Sequence, residues 1–580
     1  MNVSYKYASP SMCVNHGDQT VLGLCSDSNR AEEVSFSGKL KNPLVFRDAM
    51  LMLREIVISD AGRKKKDRVD FFDWLNREID ERAKAYEKEM PGIREDIQKN
   101  INGTLGMLAH KNDDIQKLVS VRNDLQKELD SYDAWKDYYK LERKFWQFIR
   151  ERDHNLWFVL DPVITVHPDQ VSFEAFSVDE SIYGCLSIGL DEFELANAPK
   201  MGTTNIDFSA KLAKEMERFR TYTDVELTIN PGGFTVDAGQ SPAYMEKKIE
   251  LPDTWIKGFN QVSSAANLNG VTIELSPVDL YDICSFLRKH KEHKSPRYMK
   301  WILEKDNPVR IVFEPYGAEL VLGAVYRGEK KREEKIWGRR RWLVAEKLLP
   351  VADSFSVKLL GFGMPQFITA DIGRMKMTIG FTSWSSNDWV KGTAFNIMSG
   401  FIGSGNYKSV YGLLKKYRAM SVDDICDELK DTKKTDVIAG IGSVFKRGEG
   451  YFDAASNLVR FRRLCPDPIP DELYRTSQPE FAVKKLIDKG LESFSVKMSD
   501  NREFVFTNRY DSAATELMID EDGQISGLKC SCAEFNRGPR NISAPCPHIL
   551  ALYVTSAKFT RLTLEQGKEY KINDIMEMLL

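Results

Sequence analysis

The chain has 580 residues, of which 42% are hydrophobic and 29% charged; 82 Lys and Arg stand against 85 Asp and Glu, for a formal net charge of −3. That balance argues against a general nucleic-acid coat while leaving room for a local basic patch, and a chain this long buries a sizeable core without disulfides. No stretch approaches the ~18 apolar residues of a membrane span. The start, MNVSYKYASP, shows no basic-then-apolar leader. Nine cysteines, an odd number and mostly scattered, fit reduced thiols, so a cytoplasmic α+β multidomain protein is expected.

Residues 1–70 read as an α+β segment packing on a larger body: the strand-like VSYKY, TVLGLC and EVSFSG precede the helical AMLMLREIVI. The run Arg63-Lys64-Lys65-Lys66-Asp67-Arg68 reads as a solvated helix start. Residues 71–154 are expected to form a helical hairpin or short coiled coil, interrupted at Pro91-Gly92. Ile115, Leu118, Val121, Leu125, Leu129, Tyr132, Trp135 and Tyr139 recur every three or four residues as one apolar stripe.

Residues 155–400 are a strand-rich α+β body, in which VSFEAFS, LTINPGGFTV, VRIVFEPY, AELVLGAVY and MKMTIGF alternate with turn residues. Short helices are expected around Leu212–Phe219 and Leu280–His290. In 401–466, Ser421 caps a helix carrying Val422, Ile425, Cys426 and Leu429. A second helix runs from about Thr435 to Lys446, and GYFDA and LVRFRRL flank a turn at Ser456-Asn457. Helix, helix and hairpin in that order resemble a winged helix. Lys433, Lys434, Arg460 and Arg462 are its candidate anion or DNA contacts, although Asp436 opposes phosphate and such modules also dock proteins.

Residues 467–580 open with the helical PEFAVKKLIDKGL and continue with the strand-like SFSVKM, EFVFTN and TELMI. The turn Asp520-Glu521-Asp522-Gly523 then leads into QISGLKCSC. Cys530 and Cys532 are placed at a strand end, where residues two apart share a face. Cys546 and His548 follow a loop, with Pro547 suited to the first turn of the helix HILALYVTSA. A thiolate at that helix start is favoured by the helix dipole. Three thiolates and one imidazole make the closed tetrahedral set of a structural Zn²⁺, with no position left for an activated water. Redox C-x-C chemistry lacks its usual βαβ surroundings.

C-x-C, thirteen residues, then C-x-H at a helix start, together with Phe535 and Ile549-Leu550-Ala551-Leu552, is similar to the SWIM zinc finger, a ββα module. Pro547 stands where a basic residue is common in that finger; Lys529, Arg537 and Arg540 surround the loop as candidate anion contacts. Four further stretches resemble blocks of a bacterial SWIM zinc finger family: SFSGKLKNPLVFRDAMLMLREIV, DPVITVHPDQVSFEAFSVDESIYG, GFGMPQF with GFTSWSSNDW, and YFDAASNLVRFRRL. The resemblance implies DNA or protein binding. It also implies association with a MoxR-type AAA+ ATPase and a von Willebrand A-domain protein, with no catalytic residue to carry over.

The most enzyme-like stretch is HPDQVSFEAFSVDES, where His167, Asp169, Glu174, Asp179, Glu180 and Ser181 lie close in sequence. A turn at His167-Pro168-Asp169 before a half-buried strand is the preferred account of it, and a hydrolase is the third reading. Trp384, Asn387, Asp388 and Trp389 read as aromatic core with a polar loop. GFIGSGNYKS is not a phosphate loop, because Asn406 and Tyr407 separate the last glycine from the lysine. Cys284 with His290 and His293, and Cys13 with His16 and Cys25, are incomplete as metal sets.

Overall fold

The computed structural model describes residues 5–6, 12–16, 19–25, 34–59, 92, 95–102, 118–127, 162–206, 210–222, 224–230, 247–248, 253–292, 297–382, 389, 394–399, 405–465, 478–489, 493–500, 502–510, 513–521, 523–536, 545–556, 559, 562 and 564–579. They fall into two compact units, Arg63–Phe158 and the remainder, Met1–Gly62 with Val159–Leu580. In the former, 95–102 and 118–127 are helical, with Leu118 and Leu125 half-buried and Val121 exposed. Ile115, Leu129, Tyr132, Trp135 and Tyr139 of the expected stripe lie outside the described residues.

The larger unit is mixed α+β and is built on an eight-stranded antiparallel sheet. Its strands run in the order Val271–Leu275, Ser354–Leu359, Gln366–Ile372, Met375–Phe381, Ile182–Gly189, Gln170–Phe176, Val163–Val166, Gly202–Asn205. Helix Pro43–Ile58 begins on a proline, whose missing N–H costs nothing there, and buries Phe46, Ala49, Met50, Leu53, Ile56 and Val57 against this sheet. The approach is close at Gly184, where an added Cβ would sit 2.6 Å from Ile56 Cδ1 and force that side chain to shift. Gly184 pairs with Ala175, so the odd-numbered residues of Gln170–Phe176 share the helix-facing side and Gln170, Ser172 and Glu174 take the other. That strand, expected to be half-buried, is buried on both faces.

The N-terminal segment supplies three strands of a five-stranded sheet, ordered Met12–His16, Gln19–Cys25, Asp224–Asn230, Phe36–Leu40, Phe193–Leu195. Gln19–Cys25 and Asp224–Asn230 run parallel and the other pairings are antiparallel. A four-stranded sheet (Ala318–Val325, Pro308–Phe313, Met299–Leu303, Arg332–Ile336) packs with helix Pro277–Lys289. The expected short helices are present as Ala210–Met216 and Pro277–Lys289, and Asp253–Ala266 is a further helix.

After residue 405 the order is helix Tyr407–Tyr417, strand Ala419–Met420, helix Val422–Glu428, helix Lys434–Lys446, strand Gly450–Asp453 and strand Leu458–Phe461. Ser421 caps its helix by accepting from the Asp424 N–H at 3.0 Å. Helix Lys434–Lys446 is enclosed from Ala439 to Phe445, with neighbours including helices Tyr407–Tyr417 and Asp253–Ala266. The C-terminal sheet runs Ile525–Cys530, Ala513–Ile519, Phe504–Tyr510, Ser495–Met498, Glu569–Lys571, flanked by helices Gln478–Lys489 and Pro547–Ser556. Among the described residues, no helix is long and apolar enough to cross a membrane.

Candidate metal centre

Strand Ala513–Ile519 returns as Ile525–Cys530 through the expected turn. Gly523 has a left-handed φ of 80° and donates its N–H to Asp520 O at 3.0 Å. Cys530 is the last strand residue, paired with Thr515. Cys532 does not continue the strand as expected. It precedes helix Ala533–Asn536, and its Sγ accepts from the Phe535 N–H at 3.3 Å in the manner of a helix cap. Cys546 stands before helix Pro547–Ser556, its carbonyl accepting from the Leu550 N–H at 3.0 Å.

These three sulfurs and one His548 nitrogen all lie within 4.8 Å of one another. A tetrahedral ion with Zn–S bonds of ~2.3 Å would space its sulfurs about 3.8 Å apart, so the cluster is of the right size to hold one metal ion. Two further observations fit an ion at its centre. His548 Nδ1 is buried and has no protein hydrogen-bond partner. The Cys530 thiol is held below its ordinary range, first by the hydrogen bond from the Cys546 thiol and also by the Cys532 N–H, while the same contact and burial push Cys546 up. Tyr510, which no local sequence signal connects to the finger, sets its ring 6.0 Å from that of His548.

Among the described residues, the finger meets the body where helix Pro547–Ser556 packs on helix Ala394–Met398, and again along its hairpin. Gly361 has φ 106° and lies so close to the strand that a Cβ would be 2.4 Å from Ile525 O; the neighbouring Phe362 N–H donates to that oxygen at 3.0 Å. Arg332 pairs with Asp520 and Gln524, and Lys330 with Glu521 at 3.0 Å.

The structure corrects two candidate anion contacts. Arg460 and Arg462 are only 1% and 2% exposed. Arg460 grips Asp169 through both terminal nitrogens, at 2.8 and 3.0 Å, and Asp453 through Nε at 2.7 Å. Arg462 is ion-paired with Glu174 and sandwiched between the Phe259 and Tyr451 rings, 4.5 and 4.7 Å from their centroids. Neither guanidinium is available to a phosphate. Lys433 and Lys434 are exposed, with Lys434 3.3 Å from Asp423; Lys529 pairs with Glu516 at 2.6 Å. Arg537 and Arg540 lie outside the described residues.

The enzyme-like stretch is the other half of this network. Tyr183 donates to Glu174 at 2.7 Å, and His167 Nε2 lies 3.2 Å from the Tyr451 hydroxyl. Burial first, then the Arg460 charge, pull the His167 pKa from 6.5 down to about 3. The folded pKa is below the unfolded one, so as pH falls through 6.5 the unfolded chain takes up the proton first and stability declines. We expect His167 to remove about 2 kcal/mol of unfolding free energy between pH 6.5 and about pH 5. Urea unfolding with saturating metal should show His167→Gln freed of that part of the slope; identical slopes in the two proteins would refute it.

Other candidates do not assemble. Cys284 Sγ lies 3.8 Å from Trp342 O, His290 stacks on Phe286 at 4.1 Å, and His293 lies outside the described residues. Trp389 is buried, while Trp384, Asn387 and Asp388 lie outside them too.

No protein-family model matches the chain, and no curated protein matches it significantly. Among solved structures, it is similar to the proliferating cellular nuclear antigen of Entamoeba histolytica, at 13% identity over 39% of this chain and 89% of that one, with a TM-score of 0.29. It is also similar to the PCNA2–PCNA3 complex of Sulfolobus tokodaii, at 9% identity over 39% and 90%, with a TM-score of 0.27. Likenesses at this level assign neither fold nor function.

Proposed function

We propose that the chain is a zinc-stapled, non-enzymatic binding protein: a SWIM-type ββα finger and a winged-helix-like module on an α+β scaffold that docks a protein partner. The observation that carries this reading is the close cluster of Cys530, Cys532, Cys546 and His548, a donor set that would fill all four positions of a tetrahedral ion. The ion staples the hairpin to the helix and leaves no site for substrate. The ion pairing of Asp169 and Glu174 supports a scaffold role for the stretch around them.

The order helix, strand, helix, helix, hairpin after residue 405 supports the winged-helix reading. The enclosed Lys434–Lys446 helix favours protein docking over insertion into a DNA groove. DNA binding stands as the second reading because Lys408, Lys415 and Lys416 are all exposed along one helix. The family resemblance directs the partner search to a MoxR-type AAA+ ATPase and a von Willebrand A-domain protein.

Titration of the purified chain against those two proteins of the same host is expected to give binding that persists at about 0.3 M salt. Duplex DNA should not be shifted at low salt. A DNA complex that weakens steeply with salt and is lost in Lys415→Glu/Lys416→Glu would replace the protein-docking reading with the second.

A further inference from the structure

Cations gather where helix Pro277–Lys289 ends. Its last turn carries Arg288 and Lys289, and the chain continues through His290 and Lys291, with both lysines exposed. Arg340, exposed at the start of the 3₁₀ helix Arg339–Leu348, donates to Leu287 O at 2.8 Å, and His290 Nδ1 lies 3.1 Å from Phe286 O. Cations are favoured at a helix C-terminus, and these two contacts serve its last carbonyls. The neighbouring Arg339 is buried and donates to the carbonyls of Glu314 and Tyr298. Burial foremost, then the charges of Arg297 and Arg340, pull its pKa below the ordinary range. Glu292, Glu314 and Glu346 offset part of this charge, the last as the ion-pair partner of Arg288. Like charges held within reach of one another work against folding, so stability alone does not favour the grouping.

Aromatic rings stand among these cations. Tyr316 is 40% exposed, with Arg339 5.9 Å over its ring. Its ring centre lies 5.3 Å from that of His290 and 6.2 Å from that of Phe286, which stacks on both His290 and the buried Phe313 at 4.1 Å. Tyr298, whose carbonyl Arg339 holds, is half-buried, with Lys335 5.7 Å over its ring. Positive charge attracts a phosphate backbone, and exposed rings interleaved with it offer stacking surfaces to unpaired bases. A duplex presents its phosphates but keeps its bases stacked on one another. An acidic protein would answer the charges and leave the rings unused.

We propose that this surface, from Lys289 and Lys291 through Tyr316 to Arg340, binds single-stranded nucleic acid, with phosphates on the cations and a base on Tyr316. It shares no residue with the metal cluster or with helix Tyr407–Tyr417, and it stands whether or not the chain docks a protein partner.

The test is fluorescence anisotropy of the full metal-loaded chain with end-labelled ten-nucleotide oligo-dT and oligo-U. One or both should bind, and the ratio of their affinities tells DNA from RNA. Affinity should fall with salt at a log–log slope of about −2, the value for three phosphates on a single strand. Tyr316→Ala should weaken binding at least fivefold and keep that slope. Lys289→Gln/Lys291→Gln should flatten it to about −0.7, and Lys415→Glu/Lys416→Glu should bind like the parent. A duplex of the same length should bind at least fivefold more weakly. No binding of either strand by 0.1 mM protein at 50 mM salt, an equal hold on the duplex, undiminished binding in folded Tyr316→Ala, or an unchanged slope in the lysine pair overturns the proposal. So does loss of binding in Lys415→Glu/Lys416→Glu, or equal binding of a poly-glutamate of the same charge, which would mark an acidic protein partner instead. Should Tyr316→Ala fail to fold, the slope of the lysine pair decides.

Discussion

Cys546→Ser should release the metal ion and unfold the C-terminal finger. Cys546 is 1% exposed and stands at the start of helix Pro547–Ser556, which packs on the C-terminal sheet and on helices Gln478–Lys489 and Ala394–Met398. A serine keeps the shape but supplies a poor ligand, and leaves two sulfurs and a half-buried imidazole facing one another without a cation. Structural zinc contributes of order 10 kcal/mol where it completes a small module, more than most domains have to spare. Metal analysis should fall from one zinc per chain to none. Hydrogen exchange should then rise sharply in 513–530 and 547–556 and little in the eight-stranded sheet. His548→Ala should do the same. A variant that keeps its zinc, or exchanges like the parent, means that these are not the ligands.

The finger was legible because its signals are local. The Asp520–Gly523 turn, the paired cysteine spacings and Pro547 all act within a few residues, and the observed elements follow them closely. The misplacement of Cys532 is equally local: the strand stops at Cys530, and the next thiol caps a helix four residues long. Helix Asp253–Ala266 carried its own signal, since Trp255, Ile256, Phe259, Val262 and Ala266 fall on one face. It was hidden by the glycine, asparagine, glutamine and serines between them.

Arg460 and Arg462 were misread for a different reason. Alternation of charged and apolar residues is what a solvated hairpin shows, and the same is true of Gln170, Ser172 and Glu174 on their strand. Each polar face is covered by the other, across 291 residues for Arg460 with Asp169 and 288 for Arg462 with Glu174. Nothing within either segment reveals that pairing. The same holds at the finger, where Gly361 meets Ile525. The segments that resembled family blocks at 161–184 and 361–367 therefore supply contacts at joints between modules, and those contacts account for their mixture of polar and apolar residues.

Glu174→Gln and Arg462→Met should each destabilise the joint by about 3–5 kcal/mol, because each leaves a buried charge without its counter-charge. Both side chains are about 1% exposed, so water cannot substitute for the lost partner. The double variant should cost clearly less than the sum, since Met fills the space between the Phe259 and Tyr451 rings and no charge stays behind. Urea unfolding measures the cycle, and hydrogen exchange in 450–461 locates the loosened hairpin. A hydrolase built on this stretch would behave differently: Glu174→Gln would abolish turnover while leaving stability near that of the parent, and the two substitutions would not compensate. Additive costs, or a stable Glu174→Gln protein, would mean that the pair is not what holds the module to the sheet.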